Sequence, residues 1–389
     1  MEKIFNNTEV AFSLKSDTEL DRAYFLFKMI ASEPLVKIGT AVTNFAIKAH
    51  LPVEGLIRAT VFDHFCGGTT ENDCLTVVDK MFIKGVSSVL DYSVEGKEEE
   101  AQFDAALQMT LKTIDFAKER LAIPFAVFKP TGIGRLDLYE KVGAKKELSE
   151  TEKTEWEKVL DRFDSICKTA YEKDVALLID AEESWMQDAA DAIVEDMMKK
   201  YNKHKVIVYN TLQMYRWDRM DYLKKLHEQS QKDDFHIGMK LVRGAYMEKE
   251  NLRAKEMGYP TPICASKQAT DDNYNAAVSY MLQNIDTMAI FAGTHNEESS
   301  YLLMQMMNGK IAKNDARIFF GQLYGMSDNI SYNLAAHGYN VAKYLPFGPV
   351  RDVMPYLIRR AEENTSVAGQ TSRELNLLKT ERERRKTNS

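Results

Sequence analysis

Short apolar runs recur along most of the chain, and each is about the length of a β-strand. Most are apolar on both faces, which is typical of buried parallel strands. The eight predicted strands lie at 57–64, 86–92, 124–128, 175–179, 205–209, 237–242, 288–291 and 317–320.

Helical stretches separate these runs. The clearest starts with Ser149 and Glu152 at the spacing of a capping box. An apolar stripe at helical spacing follows, made of Trp156, Val159, Leu160, Phe163, Ile166, Cys167 and Ala170. Eight strand-then-helix units, with residues 344–364 supplying the last helix, predict an α/β fold of the (β/α)8 barrel type. A doubly wound sheet is the alternative, and it would require a reversal of strand order.

Residues 19–50 form a predicted helical segment ahead of the barrel. Ser32 is a suitable N-cap with Pro34 just inside the next helix, so two helices should meet there. One apolar stripe in the second helix consists of Leu35, Ile38, Val42, Phe45 and Ala49. We interpret residues 1–55 as an N-terminal helical cover segment and residues 56–365 as the catalytic barrel.

Residues 366–389 are rich in charge. From Arg373 onward there are six basic and three acidic residues, a net charge of +3. This composition predicts a solvated, disordered C-terminal tail. Weak attraction to an anionic membrane surface is the alternative.

One predicted helix places two arginines on a single face. Gly348 and Pro349 are suited to its start, because proline lacks the N–H that a first turn leaves unused. On its face, at i, i+3, i+4 and i+7, lie Tyr356, Arg359, Arg360 and Glu363. Paired guanidinium groups suit a carboxylate or phosphate ligand. A solvated helix with an Arg–Glu pair explains the spacing equally well.

Composition restricts the class of protein. The 389 residues carry a net charge of −7, so there is no basic bias toward nucleic acid. The four cysteines are scattered without a Cys-x-x-Cys pair, which predicts a reduced protein without disulfides or structural zinc. The first residues lack a signal peptide, and the uncharged run at 38–47 is too short to span a bilayer. We expect a cytoplasmic protein, at most peripheral at the inner face of the membrane.

Polar residues stand where the apolar runs stop. In a barrel, the carboxyl ends of all strands meet at one face, where ligands bind. The residues at these ends are Asp91, Lys129, Asp180, Ala181, Glu182, Glu183, Gln213, Tyr215, Lys240, Arg243, Gly244, Ala245, Tyr246, Thr294, His295, Asn296 and Gln322. If the barrel is correct, these side chains converge.

Several common chemistries lack their signatures. Gly132-Ile133-Gly134 has no third glycine opening a helix, and no Walker A sequence is present. A metal could use Asp180, Glu182, Glu183 and His295, but only one histidine joins the clustered carboxylates, and we predict no metal. A nucleophile elbow for Ser/His/Asp hydrolysis is also missing.

Four segments of the sequence resemble segments of proline dehydrogenases. They are Lys240-Leu241-Val242-Arg243-Gly244-Ala245-Tyr246, Ile179-Asp180-Ala181-Glu182-Glu183, Thr294-His295-Asn296 and Tyr356-Leu357-Ile358-Arg359-Arg360-Ala361-Glu362-Glu363-Asn364. The resemblance runs in order from about residue 56 to 364, and its last segment is the most specific. It implies a distorted (β/α)8 barrel that binds FAD and oxidises L-proline to Δ1-pyrroline-5-carboxylate. It also implies electron transfer to a membrane quinone and, because no aldehyde-dehydrogenase module follows, a monofunctional enzyme.

The resemblance also implies roles for individual residues. Asp180, Lys240 and Lys129 match catalytic positions, although Lys240 stands where many bacterial members carry arginine. The positions matching substrate contacts are Lys129, Tyr344, Tyr356, Arg359, Arg360 and Glu363. The positions matching flavin contacts are Ala181, Gln213, Arg243, Gly244, Ala245, Thr294, His295 and Asn296. The loop at 261–274 matches a segment near the adenine end of the cofactor.

Three other functions are compatible with the residues. The first is oxidation of hydroxyproline by the same chemistry. The second is a flavin-free barrel lyase or hydrolase acting on an anionic substrate, and the third is a binding module that uses the arginine pair without catalysis. Bound flavin would separate the two oxidations from the other functions.

Overall fold

The architecture is a closed parallel β-barrel in a computed structural model that describes residues 3–32, 34, 54–93, 98–366 and 370–388. Within these residues eight strands follow one another around the barrel in chain order. They are β1 Val86–Tyr92, β2 Phe125–Phe128, β3 Ala176–Ile179, β4 Val208–Gln213, β5 Ile237–Val242, β6 Met288–Gly293, β7 Ile318–Leu323 and β8 Val341–Phe347. The predicted (β/α)8 barrel is confirmed, and the doubly wound alternative is wrong.

One strand prediction was wrong, one strand was not predicted, and one predicted strand was displaced. Residues 57–64 are helical, because they run from Glu54–Ile57 through a π-helical turn, Arg58–Phe62, into Asp63–Phe65. A short apolar run has the same composition in a buried strand and a buried helix. The eighth strand is β8, whose residues 344–347 fall within the region predicted to supply the last helix; Lys343 and Pro346 interrupt its apolar pattern. Strand β4 begins three residues later than expected and extends through polar side chains.

The helices alternate with the strands as predicted. Those in the described residues are Thr8–Ala11, Asp17–Ile30, Glu54–Ile57, Asp63–Phe65, Leu75–Phe82, Glu100–Lys118, Leu136–Gly143, Glu150–Lys173, Ser184–Tyr201, Arg219–Asp233, Met247–Met257, Lys267–Gln283, Glu297–Met307, Asp328–Ala336, Val350–Ser366 and Gln370–Asn388, with 3-10 turns at Ile4–Asn6 and Pro130–Gly132. The capping box at Ser149 is present, and most of the predicted stripe of helix Glu150–Lys173 is buried. Leu160 is an exception at 38% exposure. Among the described helices, none has the length and hydrophobicity needed to cross a membrane.

The chain divides into two compact units: Gly96–Gly321, and Met1–Glu95 together with Gln322–Ser389. Within Gly96–Gly321, strands β2 to β6 form parallel ladders. Phe125 of β2 packs edge to face against Tyr209, Phe291 and Phe319, with ring centroids 4.8–5.7 Å apart. Because β2 is not a neighbour of β4, β6 or β7 in the barrel, these rings meet in the barrel interior. The predicted boundaries at residues 55 and 365 stay a prediction.

In the other unit, the C-terminal residues form a helix rather than a disordered tail. Leu377 and Leu378 of Gln370–Asn388 are buried in an apolar cluster with Leu20 and Phe27 of the N-terminal helix Asp17–Ile30. Two arginines of this helix are paired with distant acidic partners, Arg382 with Asp21 and Arg385 with Asp17. The predicted disorder was wrong because these partners lie more than 350 residues away in the sequence. The predicted stripe at 35–49 lies outside the described residues.

A buried charged cluster, formed by Lys15, Asp328, Lys343 and Glu374, joins the N-terminal segment, β8 and the C-terminal helix in this unit. The Lys343 ammonium group donates to the Asp328 carboxylate at 2.6 Å and to the Met326 carbonyl oxygen at 2.7 Å. Lys15 lies 3.1 Å from the other oxygen of Asp328. Burial, reinforced by the charge of Asp328, raises the pKa of Glu374 to about 7. Glu374 is therefore protonated in the folded protein at pH values where it ionises in the unfolded chain.

The charged cluster predicts a pH-dependent stability that Glu374→Gln removes. Between an unfolded pKa of 4.5 and a folded pKa of about 7, the folded state keeps a proton that the unfolded state has lost. Glu374 therefore contributes stability at low pH that is lost as pH rises through this window. The Gln variant should gain up to about 3 kcal/mol in free energy of unfolding relative to wild type across it. Urea unfolding at several pH values measures this difference.

The matched control is Glu383→Gln, which changes an exposed carboxylate on the same helix. The difference in free energy of unfolding between Glu383→Gln and wild type should not vary with pH in this window. A constant difference between Glu374→Gln and wild type would contradict the raised pKa.

Candidate active site

Polar side chains follow the strands of unit Gly96–Gly321 at their carboxyl ends, as predicted. Lys129 comes directly after β2, Asp180 after β3, Arg243 after β5 and Thr294 after β6, while Gln213 is the last residue of β4. Because β2 to β6 are consecutive and parallel, these ends share one edge. This edge is where a barrel binds its ligand.

The predicted catalytic residues Asp180 and Lys240 form an ion pair. The Lys240 ammonium group lies 2.5 Å from the Asp180 carboxylate, and the side chains are 7% and 15% exposed. Lys240 stands inside β5, opposite Thr211 of β4. The Asp180 backbone N–H donates to the Phe128 carbonyl oxygen at 3.0 Å, which joins the end of β3 to that of β2. The cation is thus held at the site by a neighbouring carboxylate.

Glu182 connects the loops after β2, β3 and β4. Its carboxylate accepts from the Thr131 backbone N–H at 2.9 Å and from the Thr131 hydroxyl at 2.6 Å. Its carbonyl oxygen accepts from the Gln213 side-chain amide at 2.6 Å. Burial raises the pKa of Glu182 to about 7, although the Thr131 hydrogen bonds and the charge of Lys129 oppose this rise. Lys129 is half-buried and lies near this carboxyl.

Arg243 is held from three directions. Its guanidinium group donates to Asp271 at 2.6 Å, to the Thr294 hydroxyl at 2.6 Å and to the Ser299 hydroxyl at 3.0 Å. The same group lies 4.6 Å above the ring of Tyr274. Burial alone would raise the pKa of Asp271, but its bonds to Lys267 and Arg243 outweigh burial and hold that pKa below its usual value. Asp271 and Tyr274 belong to the segment 261–274 that was expected at the site.

The remaining predicted flavin contacts lie on the same strand ends. Asn296 caps helix Glu297–Met307 by accepting from the Ser299 backbone N–H at 3.0 Å, and its own N–H donates to the Thr294 hydroxyl at 3.1 Å. His295 and Ala181 are half-buried, whereas Gly244 and Ala245 expose their surface. These predicted residues are brought to one edge, but their roles stay a prediction.

The predicted substrate residues in the other unit lie on β8 and on helix Val350–Ser366. Tyr344 is buried on β8. On the helix, Tyr356 and Arg360 are buried, and the Arg360 guanidinium lies 5.4 Å above the Tyr356 ring. Arg359 is half-buried beside them. The helix is confirmed through the position of Glu363, whose side chain lies outside the described residues.

Sequence reasoning missed the partners of these residues. Thr131 and Ser299 carry no motif, and the sequence gives Glu182 no role as a partner of Thr131. Their signal was weak because each binds a residue distant in sequence, such as Ser299 and Arg243, which are 56 residues apart. In the described part of the chain, His, Cys, Asp and Glu side chains form no group of three or more that could hold a metal ion.

A (β/α)8 barrel with cationic residues at its strand ends has the arrangement in which barrel enzymes bind their ligands. The family model of proline dehydrogenase matches residues 74–373 of the chain. The chain therefore belongs to the proline dehydrogenase family, and it is an oxidoreductase.

Two related proteins and one solved structure show the extent of the similarity. The chain is 35% identical over 361 residues to the carbapenem antibiotics biosynthesis protein CarD of Pectobacterium carotovorum subsp. carotovorum, covering 92% of this chain and 94% of that one. It is 30% identical over 430 residues to the mitochondrial proline dehydrogenase 1 of Dictyostelium discoideum, covering 98% and 75%. Proline utilization A of Bdellovibrio bacteriovorus has the same fold, with a TM-score of 0.72 at 22% identity over 92% of this chain. The chain spans only 38% of that longer protein.

Gly244 has a backbone that no other residue should accept. Its φ is +134°, and a Cβ there would lie 2.5 Å from the Tyr215 ring. Gly244→Ala should therefore lower the free energy of unfolding by about 2–4 kcal/mol, from overpacking together with backbone strain. Denaturant unfolding with circular dichroism measures this loss.

Gly258→Ala is the matched control, since Gly258 also has positive φ (+73°) but has no atom within 4 Å of a Cβ. Gly258→Ala should lower the free energy of unfolding by about 1 kcal/mol, from backbone strain alone. Equal losses in the two variants would contradict the packing argument.

Proposed function

We propose that this protein oxidises L-proline to Δ1-pyrroline-5-carboxylate with FAD as its cofactor. The observation that carries the proposal is the buried Asp180–Lys240 pair at the strand ends of a barrel in this family. The proposal goes beyond the family assignment in naming substrate, product and cofactor.

The residues at this edge have the chemistry that a flavin dinucleotide requires. Arg243 is a fixed cation, and the exposed residue Gly244 follows it directly in the chain. The Thr294 hydroxyl adds a further polar group next to Arg243. Bound FAD would supply the hydride acceptor for the carbon next to the ring nitrogen of the substrate.

The protein's task in such a reaction is to position the substrate. We assign its carboxylate to Arg359, Arg360 and Lys129, because a guanidinium group binds a carboxylate through two parallel hydrogen bonds. Tyr344 and Tyr356 would pack around the substrate ring, with Glu363 nearby. Lys240, held by Asp180, would stabilise negative charge that grows on the reduced cofactor.

The electron acceptor and the cellular location of the protein are further parts of this proposal. A quinone is the proposed acceptor, and this would place the protein in the cytoplasm, peripheral to the inner face of the membrane. The relative from Dictyostelium discoideum is named as mitochondrial, and that location is stated of the relative alone.

A second candidate is the same oxidation acting on a substrate other than free proline. The 35% identity to a protein named for carbapenem biosynthesis favours it. Hydroxyproline is one such substrate, and direct comparison of substrates separates the candidates.

The purified protein should be yellow, should release FAD on denaturation, and should oxidise L-proline faster than trans-4-hydroxyproline. The reason for the preference is Tyr344, which is buried and stands where the family has bulk against the ring carbon that bears this hydroxyl. Chromatography of the released flavin and kcat/KM with an artificial electron acceptor measure both properties. FMN, or no flavin after reconstitution, would remove FAD from the proposal, and a preference for hydroxyproline would replace the substrate.

Arg360→Met should lower kcat/KM for proline while leaving the FAD content near wild type. A charge-assisted hydrogen bond contributes about 1.5–3 kcal/mol, so the loss should be about 10- to 150-fold. Prolinamide, which has no carboxylate, should be a poor substrate and should lose far less activity than proline in this variant. Steady-state kinetics with both substrates measures the difference.

Arg351→Met is the control, because Arg351 is exposed on the first turn of the same helix. It should retain wild-type kinetics. If Arg360→Met loses flavin, or loses activity equally on both substrates, this helix serves the cofactor rather than the carboxylate.

A further inference from the structure

Glu182 is a buried carboxyl group that is hydrogen-bonded to the turn after β2 and to the last residue of β4. We propose that Glu182 is a positioning residue that fixes the turn carrying Lys129 and thereby sets the affinity for the substrate's carboxylate. This inference rests on the proposed function, because Lys129 is assigned to that carboxylate there. Glu182 itself is assigned no contact with substrate.

The side chain of Glu182 clamps the turn that follows β2. Both of its oxygens accept from Thr131, one from the backbone N–H at 2.9 Å and the other from the hydroxyl at 2.6 Å. Thr131 lies in the 3-10 turn Pro130–Gly132, whose preceding residue is Lys129. The turn is held on a second side by Tyr139, whose hydroxyl donates to the Pro130 carbonyl oxygen at 3.0 Å. Two hydrogen bonds from one carboxylate leave this turn little freedom.

The backbone of Glu182 is held equally firmly. Its N–H donates to the Gln187 side-chain oxygen at 3.0 Å, and Gln187 donates to Asp191 at 2.7 Å. Asp191 forms a buried ion pair with Arg219 at 2.8 Å. This chain of bonds ties Glu182 to helices Ser184–Tyr201 and Arg219–Asp233. The clamp on Thr131 therefore has a rigid base, which a positioning role requires.

The same residue also sets the end of β4. The carbonyl oxygen of Glu182 accepts from the Gln213 side-chain N–H at 2.6 Å, and the Gln213 side-chain oxygen accepts from the Ala245 N–H at 3.4 Å. These contacts use backbone atoms of Glu182, so a side-chain substitution should leave them in place. A substitution of Glu182 thus tests the Thr131 turn separately from Gln213.

Three variants test the clamp through kinetics. Glu182→Ala removes both acceptors and should raise the KM for proline about 10-fold, the equivalent of one charge-assisted hydrogen bond. The KM for prolinamide should stay within about twofold, because the proposed function assigns Lys129 to the carboxylate, which prolinamide lacks. Glu182→Gln can still accept from the Thr131 N–H and donate to its hydroxyl, so it should restore most of the affinity. Thr131→Val should raise the KM for proline, and combining it with Glu182→Ala should add nothing further.

Amide hydrogen exchange supplies a readout that does not depend on activity. The Thr131 N–H should exchange faster in Glu182→Ala and stay protected in Glu182→Gln. Asp315→Asn is the control, since it breaks a partly buried ion pair with Arg317 just before β7 begins. It should lower the melting temperature without changing the KM for proline or the exchange at Thr131.

The outcomes separate the two proposals. If the wild-type protein does not oxidise proline, the proposed function fails, and hydrogen exchange still decides whether Glu182 orders the turn. If wild type oxidises proline but Glu182→Ala behaves like Asp315→Asn, the positioning role is overturned. If Glu182→Ala does not fold, Thr131→Val decides: a raised KM for proline but not for prolinamide supports the role, and an unchanged KM overturns it.

Discussion

Buried charge is the constraint on which this structure depends. A carboxylate or ammonium group removed from water is strongly unfavourable unless a partner compensates it. Here Lys240 is paired with Asp180 and Lys343 with Asp328, and every one of these four side chains is at most 15% exposed. In both pairs the lysine stands within a strand, while its carboxylate comes from a different element. The pairs therefore join neighbouring elements as well as neutralising charge.

This pairing prepares the strand ends for chemistry. A cation already held by a buried carboxylate does not have to reorganise when negative charge develops beside it, and such preorganisation is a major source of catalysis. Arg243 shows the same arrangement, because Asp271, Thr294 and Ser299 fix its orientation. The supporting bonds continue outward from Glu182 through Gln187 to helices away from the edge. Substrate and cofactor would thus meet side chains whose positions are set in advance.

The unit that contains both chain ends satisfies the same constraint in its helices as well. Its N-terminal and C-terminal helices share the apolar cluster around Phe27 and Leu378. Around this cluster, Glu381 is fully buried and accepts from Arg384 and Arg385 of its own helix. Several of the charged side chains that led to the prediction of a solvated tail therefore form ion pairs within the fold.

The sequence by itself determined the strands and helices whose signal is local. Strands β1 and β5 lie at their predicted bounds, and the capping box at Ser149 begins the predicted helix. The residues at the strand ends were also found, because parallel topology alone places them at one edge. These features depend on residue spacing, which the sequence displays directly.

Only the tertiary structure decided which groups are partners. Strand β8 was missed because Lys343 looks incompatible with a buried strand until Asp328 is placed beside it. The helix Gln370–Asn388 was missed because Arg382 and Arg385 find their carboxylates at the opposite end of the chain. The clamp between Glu182 and Thr131 spans 51 residues. Periodicity in the sequence indicates which face of a helix or strand is buried. The compensation of a buried charge depends instead on contacts between distant residues. No local sequence pattern indicates those contacts.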